Sequence, residues 1–271
     1  MKLISVLYAV SATRVPNVYV FARNGTSANC VTSTIITLRR LLSERYIVRR
    51  IYAAQLGRER WKSSASLLVI PGGRDVPYLS DLLREANANI IDYVKDGGKC
   101  LGFCAGAYYA SARVEFEVGD PIMEVVGERP LKFFPGTCKG AAFPGFDYAS
   151  DAGARASNIT LESSHLTFPI YWNGGGAFIQ AESYKGIDVL ARYKDIPDNS
   201  SNVAVIHTRV NQGRALLSAV HAEYILSPDS ILYSAIHPIQ PKIDDLVREW
   251  LKLLELDVKS ASTKNSENKY I

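Results

Sequence analysis

Through the first hundred residues, unbroken apolar runs alternate with amphipathic stretches. The run "NVYVFA" (17–22) predicts a strand, and the small polar segment "RNGTSANC" (23–30) a turn. "VTSTIITLRRLLSERY" (31–46) places Ile35, Leu38, Leu41 and Leu42 on one face at helical spacing. A second strand is predicted over "IVRRIY" (47–52) and a third over "SLLVIPGG" (66–73), whose continuous apolar character fits a strand buried on both faces. A helix from about Leu79 to Lys95 leads through "DGG" (96–98) into the short strand "KCL" (99–101), and "AYYASARVEF" (107–116) reads as the opening of another helix. Strands and helices in alternation predict an α/β fold, a doubly wound and mostly parallel sheet with helices on both faces.

The pattern changes between about 117 and 200. This section is rich in glycine, proline and aromatic residues and predicts short strands and long loops. "GDPIMEVVG" (119–127) and "LKFFPG" (131–136) are expected to lie as strands over the preceding helix, with their apolar residues in the core. Regular order returns in "NVAVIHTRVNQGRALLSAVHAEY" (202–224), two strands joined at "NQG" (211–213). Ser227-Pro228-Asp229 predicts a capped helix through Ile236, "KIDDLVREWLKLLEL" (242–256) a final amphipathic one, and 257–271 a polar, frayed tail. No internal repeat or linker interrupts the chain, so residues 1–256 are expected to form one domain.

The 271 residues, 47% of them hydrophobic, suffice for a sizeable core. The net charge of +4 is dispersed, which argues against nucleic-acid binding, and no apolar stretch is long enough to span a membrane. Residues 1–13 mimic a signal peptide weakly, with one lysine ahead of a short apolar stretch, and Asn24, Asn158 and Asn199 begin glycosylation sequons. Four cysteines (Cys30, Cys100, Cys104, Cys138) show neither a zinc-type spacing nor a disulfide framework, and no metal or cofactor is expected. Free thiols fit a reducing, cytoplasmic setting.

One of those thiols stands apart. In "GFCAG" (102–106), Cys104 lies where a buried strand turns into a helix, between two glycines. This is the cysteine form of a nucleophile elbow, which needs a strained turn and close helix–strand packing. A thiol nucleophile needs a base, and the base an orienting carboxylate. Among His165, His207, His221 and His237, only His221 ends an apolar strand and has an acid, Glu223, two positions on. His207 reads as a strand residue and the other two as surface loop residues. A helix N-terminus and an imidazolium both favour the thiolate at Cys104. The backbone N–H of Ala105, with that of Gly72 or Gly73 in "PGG", could form an oxyanion hole. Arg74, Asp75, Tyr171, Asn173 and Arg155 are candidates for the substrate pocket, Asp75 and the two arginines also for structural ion pairs. Cys100 and Cys138 read as ordinary buried thiols.

The order "VIPGG … GFCAG … HAE" resembles class I glutamine amidotransferases, whose fold is flavodoxin-like and whose Cys, His and Glu occupy these motifs. The resemblance narrows in "PGGRDVPY" (71–78), residues 102–137, "GFDYASDAGARA" (145–156) and "YWNGGGAF" (171–178). These are similar to the N-terminal, amidotransferase-like domain of fungal biotin–protein ligases, over about Asn17 to Glu223. No G-R-G-R-x-G-like biotin loop follows, so a stand-alone relative or an isolated domain is expected. One departure bears on function. Amidotransferases usually read G-x-C-x-G-x-Q, and here Tyr108 stands at the glutamine position. The resemblance therefore implies a thiol-dependent amidase or hydrolase that cleaves a C–N bond in a small-molecule or peptide amide and is a doubtful glutaminase. The alternative is a non-catalytic regulatory or binding module acting on a biotin ligase or its carrier protein.

Overall fold

In the computed structural model, which describes residues 15–196 and 201–260, the apolar runs of the first hundred residues become parallel strands. The chain order is β1 (Asn17–Phe21), α1 (Ala28–Leu41), β2 (Ile47–Ile51), α2 (Ala53–Leu56), β3 (Ala65–Ile70), α3 (Asp75–Asp81), α4 (Arg84–Lys95), β4 (Lys99–Phe103) and α5 (Ala105–Tyr109). Strands then dominate: β5 (Ser111–Phe116), β6 (Val125–Glu128), β7 (Phe134–Gly140), β8 (Arg155–Leu161), β9 (Thr167–Trp172), β10 (Ala177–Phe178), β11 (Ile187–Tyr193), β12 (Val203–Val210) and β13 (Gly213–Ser218). Two helices, α6 (Tyr233–Ile236) and α7 (Gln240–Leu253), close the described chain.

Among the described residues the main sheet has nine strands in the order β2-β1-β3-β4-β13-β12-β11-β8-β9. The first five pair in parallel, which is the flavodoxin-like order with β13 as fifth strand. From β13 outward the pairing is antiparallel. Helix α1 packs against α7, and α2 against α4, in keeping with an α/β sheet covered on both faces. Leu67–Ile70 of β3 are fully buried, as their unbroken apolar run requires. In such sheets ligands bind beyond the carboxyl ends of the strands, where strand order reverses. Here that point lies between β1 and β3, beside the loops 22–27 and 71–74.

Several boundaries differ from expectation for identifiable reasons. The first helix starts earlier, because Ser27 caps it by accepting from the Cys30 N–H, and it ends at Leu41, where the backbone of Leu42 becomes extended and bridges Val258. The bridge also ties residues 257–259 to the body, so this part of the expected polar tail is anchored. The predicted helix 79–95 is broken into α3 and α4. At the break the Asn87 side chain donates to the Leu82 carbonyl at 2.6 Å.

The stretch after the elbow is helical only to Tyr109. "SARVEF" then alternates inward Ser111, Val114 and Phe116 with more exposed residues, a strand pattern, and forms β5. Residues 227–232 make turns, and only Tyr233–Ile236 is helical there. Strands β10-β7-β5-β6 form a second sheet, with Leu131, Phe133 and Phe134 buried as expected but Ile122 91% exposed. Among the described residues no helix is long and apolar enough to cross a membrane. The signal-like residues 1–13, Asn199 and positions 261–271 of the tail lie outside the described residues.

Candidate active site

Cys104 joins β4 to α5 with φ 47° and ψ −105°, a conformation that L-residues rarely adopt. Its N–H donates to the Ser218 carbonyl of β13, while its own carbonyl accepts from the N–H groups of Ala107 and Tyr108. The turn is thus held by three backbone hydrogen bonds. Gly106 makes it sterically accessible: a Cβ there would lie 2.0 Å from the Ile70 carbonyl oxygen. Since α5 has five residues, its dipole is small, and stabilisation of a thiolate falls mainly to the imidazole.

That imidazole belongs to His221, just past β13. Its Nδ1 lies 2.9 Å from Glu223 Oε1, and Cys104 and Cys30 line the same cavity beside its ring. All four residues are buried. Burial alone would lower the pKa of His221, but the Glu223 carboxylate and the Cys104 sulfur outweigh it and hold the imidazole well above the usual histidine value. The segment is braced from α1, where Thr37 Oγ1 donates to the Glu223 carbonyl and Ser33 Oγ accepts from the Ile225 N–H. The Cys104 thiol also lies 3.6 Å from the Asn173 carbonyl, to which it donates.

These groups open onto a cavity of about 550 Å³. Gly73 and Ala105 line it, whereas Gly72 lies behind, with its carbonyl accepting from the Ser27 N–H and its α-carbon packed under His221. Arg74 lines the cavity and stacks on Tyr148, 4.2 Å from the ring centroid. Tyr171 stacks on Tyr224 beside His221. Asn173 reaches Asp151 and the Tyr171 hydroxyl through Nδ2. Arg155 does not reach the cavity; its guanidinium lies over Phe143 and Trp172. His207 is buried in β12 against Asp188, while His165 and His237 are exposed and away from Cys104. Burial pushes the Cys100 thiol up to about 12 and that of Cys138 well above its ordinary value, leaving both protonated.

Tyr108 is buried, with its hydroxyl donating to the Gly174 carbonyl at 3.1 Å and its ring edge-on to Phe116. Its one donor is therefore used within the protein. Cys30 and Asn29 from the start of α1 carried no motif, whereas Phe116 from β5 and Phe146 and Asp147 from the loop before β8 lie in stretches that carry the family resemblance but were not singled out. For Cys30 and Asn29 the available signal was the polar segment 23–30 following a buried strand.

Asp75 lines the cavity but is committed to Arg129, whose Nε lies 2.6 Å from the carboxylate with both side chains buried. Desolvation outweighs the guanidinium and raises the Asp75 pKa. Removing the arginine strands a buried charge, which typically costs about 3–5 kcal/mol. Arg129→Met is therefore expected to lower the urea midpoint strongly at neutral pH. A carboxyl whose folded pKa is raised binds more protons folded than unfolded, so the loss should shrink as pH falls through that raised pKa. A midpoint unchanged at neutral pH would show that the pair is dispensable.

Residues 16–269 match the family described as "Biotin-protein ligase, N terminal". The chain is 41% identical over 219 residues to the biotin–protein ligase of Schizosaccharomyces pombe, covering 80% of this chain and 34% of the ligase. It is 39% identical over 166 residues to an uncharacterized protein of Chlamydia muridarum, covering 61% of this chain and 63% of that protein. The matches thus span about a third and somewhat under two thirds of those relatives' lengths. Among solved structures, a glutamine amidotransferase superposes with TM-score 0.53 at 19% identity, over 84% of this chain and 98% of that one. A putative ThuA-like protein from Bacteroides uniformis gives TM-score 0.53 at 11% identity, over 90% and 94%. These two likenesses concern the fold alone. A flavodoxin-like sheet, the elbow at Cys104 and a match over nearly the whole sequence agree: the chain belongs to the family of biotin–protein ligase N-terminal domains.

Proposed function

We propose that this protein is a thiol-dependent amidohydrolase in which Cys104 is the nucleophile, His221 the acid–base and Glu223 the orienting carboxylate. The observation that carries this reading is the strained Cys104 held against an imidazole whose other face is fixed by a buried carboxylate. The Cys104 thiolate attacks the carbonyl carbon of an amide, and the oxyanion is received by the N–H groups of Ala105 and Gly73. His221 gives its proton to the leaving amine as the C–N bond breaks, leaving a thioester. Water then attacks the thioester carbonyl; His221 takes a proton from it, and the acid leaves as the thiolate returns. The test is a screen of small-molecule and peptide amides, with Cys104→Ser as control. Turnover that survives this substitution, or none on any amide despite a reactive Cys104, counts against the proposal.

Free glutamine is not the expected substrate. A glutamine side chain at position 108 would offer both a donor and an acceptor, whereas the Tyr108 hydroxyl is already bonded to Gly174. A lost paired contact in a buried site costs about 1–3 kcal/mol, roughly 5- to 150-fold in binding. Ammonia release from saturating glutamine should therefore stay near background. A robust, Cys104-dependent rate would restore a plain glutaminase assignment.

A further inference from the structure

Cys30 takes no part in the thiol mechanism, yet it lines the same cavity as His221. Cys30 Sγ, a ring nitrogen of His221 and a carboxylate oxygen of Glu223 all lie within 4.8 Å of one another, and all three residues are buried. Glu223 Oε1 is occupied by the histidine, but Oε2 is buried and has no hydrogen-bond partner among the described residues. An unpartnered carboxylate oxygen at 1% residue exposure is costly to maintain without a ligand. Gly72 keeps the space open: a Cβ there would come within 2.6 Å of His221 Cε1 and 3.0 Å of Cys30 Sγ. Thiolate, imidazole and carboxylate together are a donor set suited to zinc. Zinc bonds of about 2.0–2.3 Å place tetrahedral ligands roughly 3.3–3.8 Å apart, so modest side-chain movement would close the site.

We propose that Cys30, His221 and Glu223 bind a divalent, zinc-class ion and that its binding silences Cys104. The ion replaces the thiol proton of Cys30 and one imidazole proton, both of which pass to the buffer. With one ring nitrogen on the metal, His221 no longer shuttles a proton for Cys104. Cys30 and His221 line the open cavity, which gives the ion its entry path. This holds whether or not Cys104 turns over an amide, because its readout is the metal's own spectrum.

The test is titration of metal-free protein with Co²⁺ as the spectroscopic probe. One ion per chain and a thiolate-to-cobalt charge-transfer band are expected in the wild type and in Cys104→Ser. Cys30→Ser should lose the band and bind at least tenfold more weakly. No band in the wild type, or an equal band in Cys30→Ser, overturns the assignment. Should Cys30→Ser fail to fold, alkylation mapping of the wild type decides. Saturating Zn²⁺ must slow labelling of Cys30, and unchanged labelling refutes the site.

Discussion

Glu223→Gln is expected to slow alkylation of Cys104 at neutral pH by about 100-fold, the lower end of what a positioned acid–base group contributes. Glutamine keeps the size of the side chain, and its carbonyl oxygen can still accept from His221 Nδ1, 2.9 Å away in the wild type. The ring therefore stays in place. What is lost is the buried negative charge that, with the Cys104 sulfur, holds the His221 pKa well above the ordinary value against desolvation. Without it the neutral imidazole is favoured, and the thiolate loses its counter-charge. The alkylation rate of the variant should lie below that of the wild type throughout the neutral range. Stability follows the same group. A histidine whose folded pKa is raised contributes stability that is fully present below its unfolded pKa of about 6.5 and is lost as pH rises through the folded value. In Glu223→Gln that contribution should shrink, which urea midpoints across the pH range will register. Identical alkylation profiles for the two proteins would remove Glu223 from the site's chemistry.

The parts of the site legible in the sequence are those in which one contiguous segment carries both the element and its turn. β3 with "PGG", β4 with "GFCAG" and β13 with "HAE" are apolar runs ending in the residues that their turns require. Parallel neighbours deliver such ends to one edge of the sheet, so their order alone brought Cys104 and His221 together. Cys30 was hidden for the opposite reason. It enters the site from α1, and its placement depends on a cap at Ser27 and on Ser33 and Thr37 bonding the 223–225 backbone. No local spacing encodes such contacts. β5 was hidden by its position directly after the elbow helix, where Ala and Tyr favour continuation until the Ser111–Phe116 alternation takes over. The role of Tyr108 was half visible. Sequence showed a missing amide group, but only the fold shows its hydroxyl spent on Gly174.

The elbow itself leaves no room for added bulk, and Gly106→Ala is expected to destabilise the protein by about 3 kcal/mol or more, the upper range for overpacking. The added Cβ would lie 2.0 Å from the Ile70 carbonyl oxygen and 2.7 Å from its carbon. Both are backbone atoms of β3, a strand hydrogen-bonded on either side, to β1 and to β4. No side-chain rotation can relieve the clash, so α5 has to move away from the sheet. Moving α5 shifts the carbonyl of Cys104, which accepts from Ala107 and Tyr108, and with it the positive-φ turn that aims the sulfur at His221. The loss of Cys104 reactivity should therefore exceed what reduced folding alone explains when measured well below the unfolding transition. Gly57→Ala is the matched control. Gly57 has φ −65°, and its nearest neighbour would be 3.7 Å from an added Cβ, so stability and reactivity should change little. If Gly106→Ala behaved like this control, the close approach of α5 to β3 would not be what shapes the elbow, and the positive φ at Cys104 would need another cause.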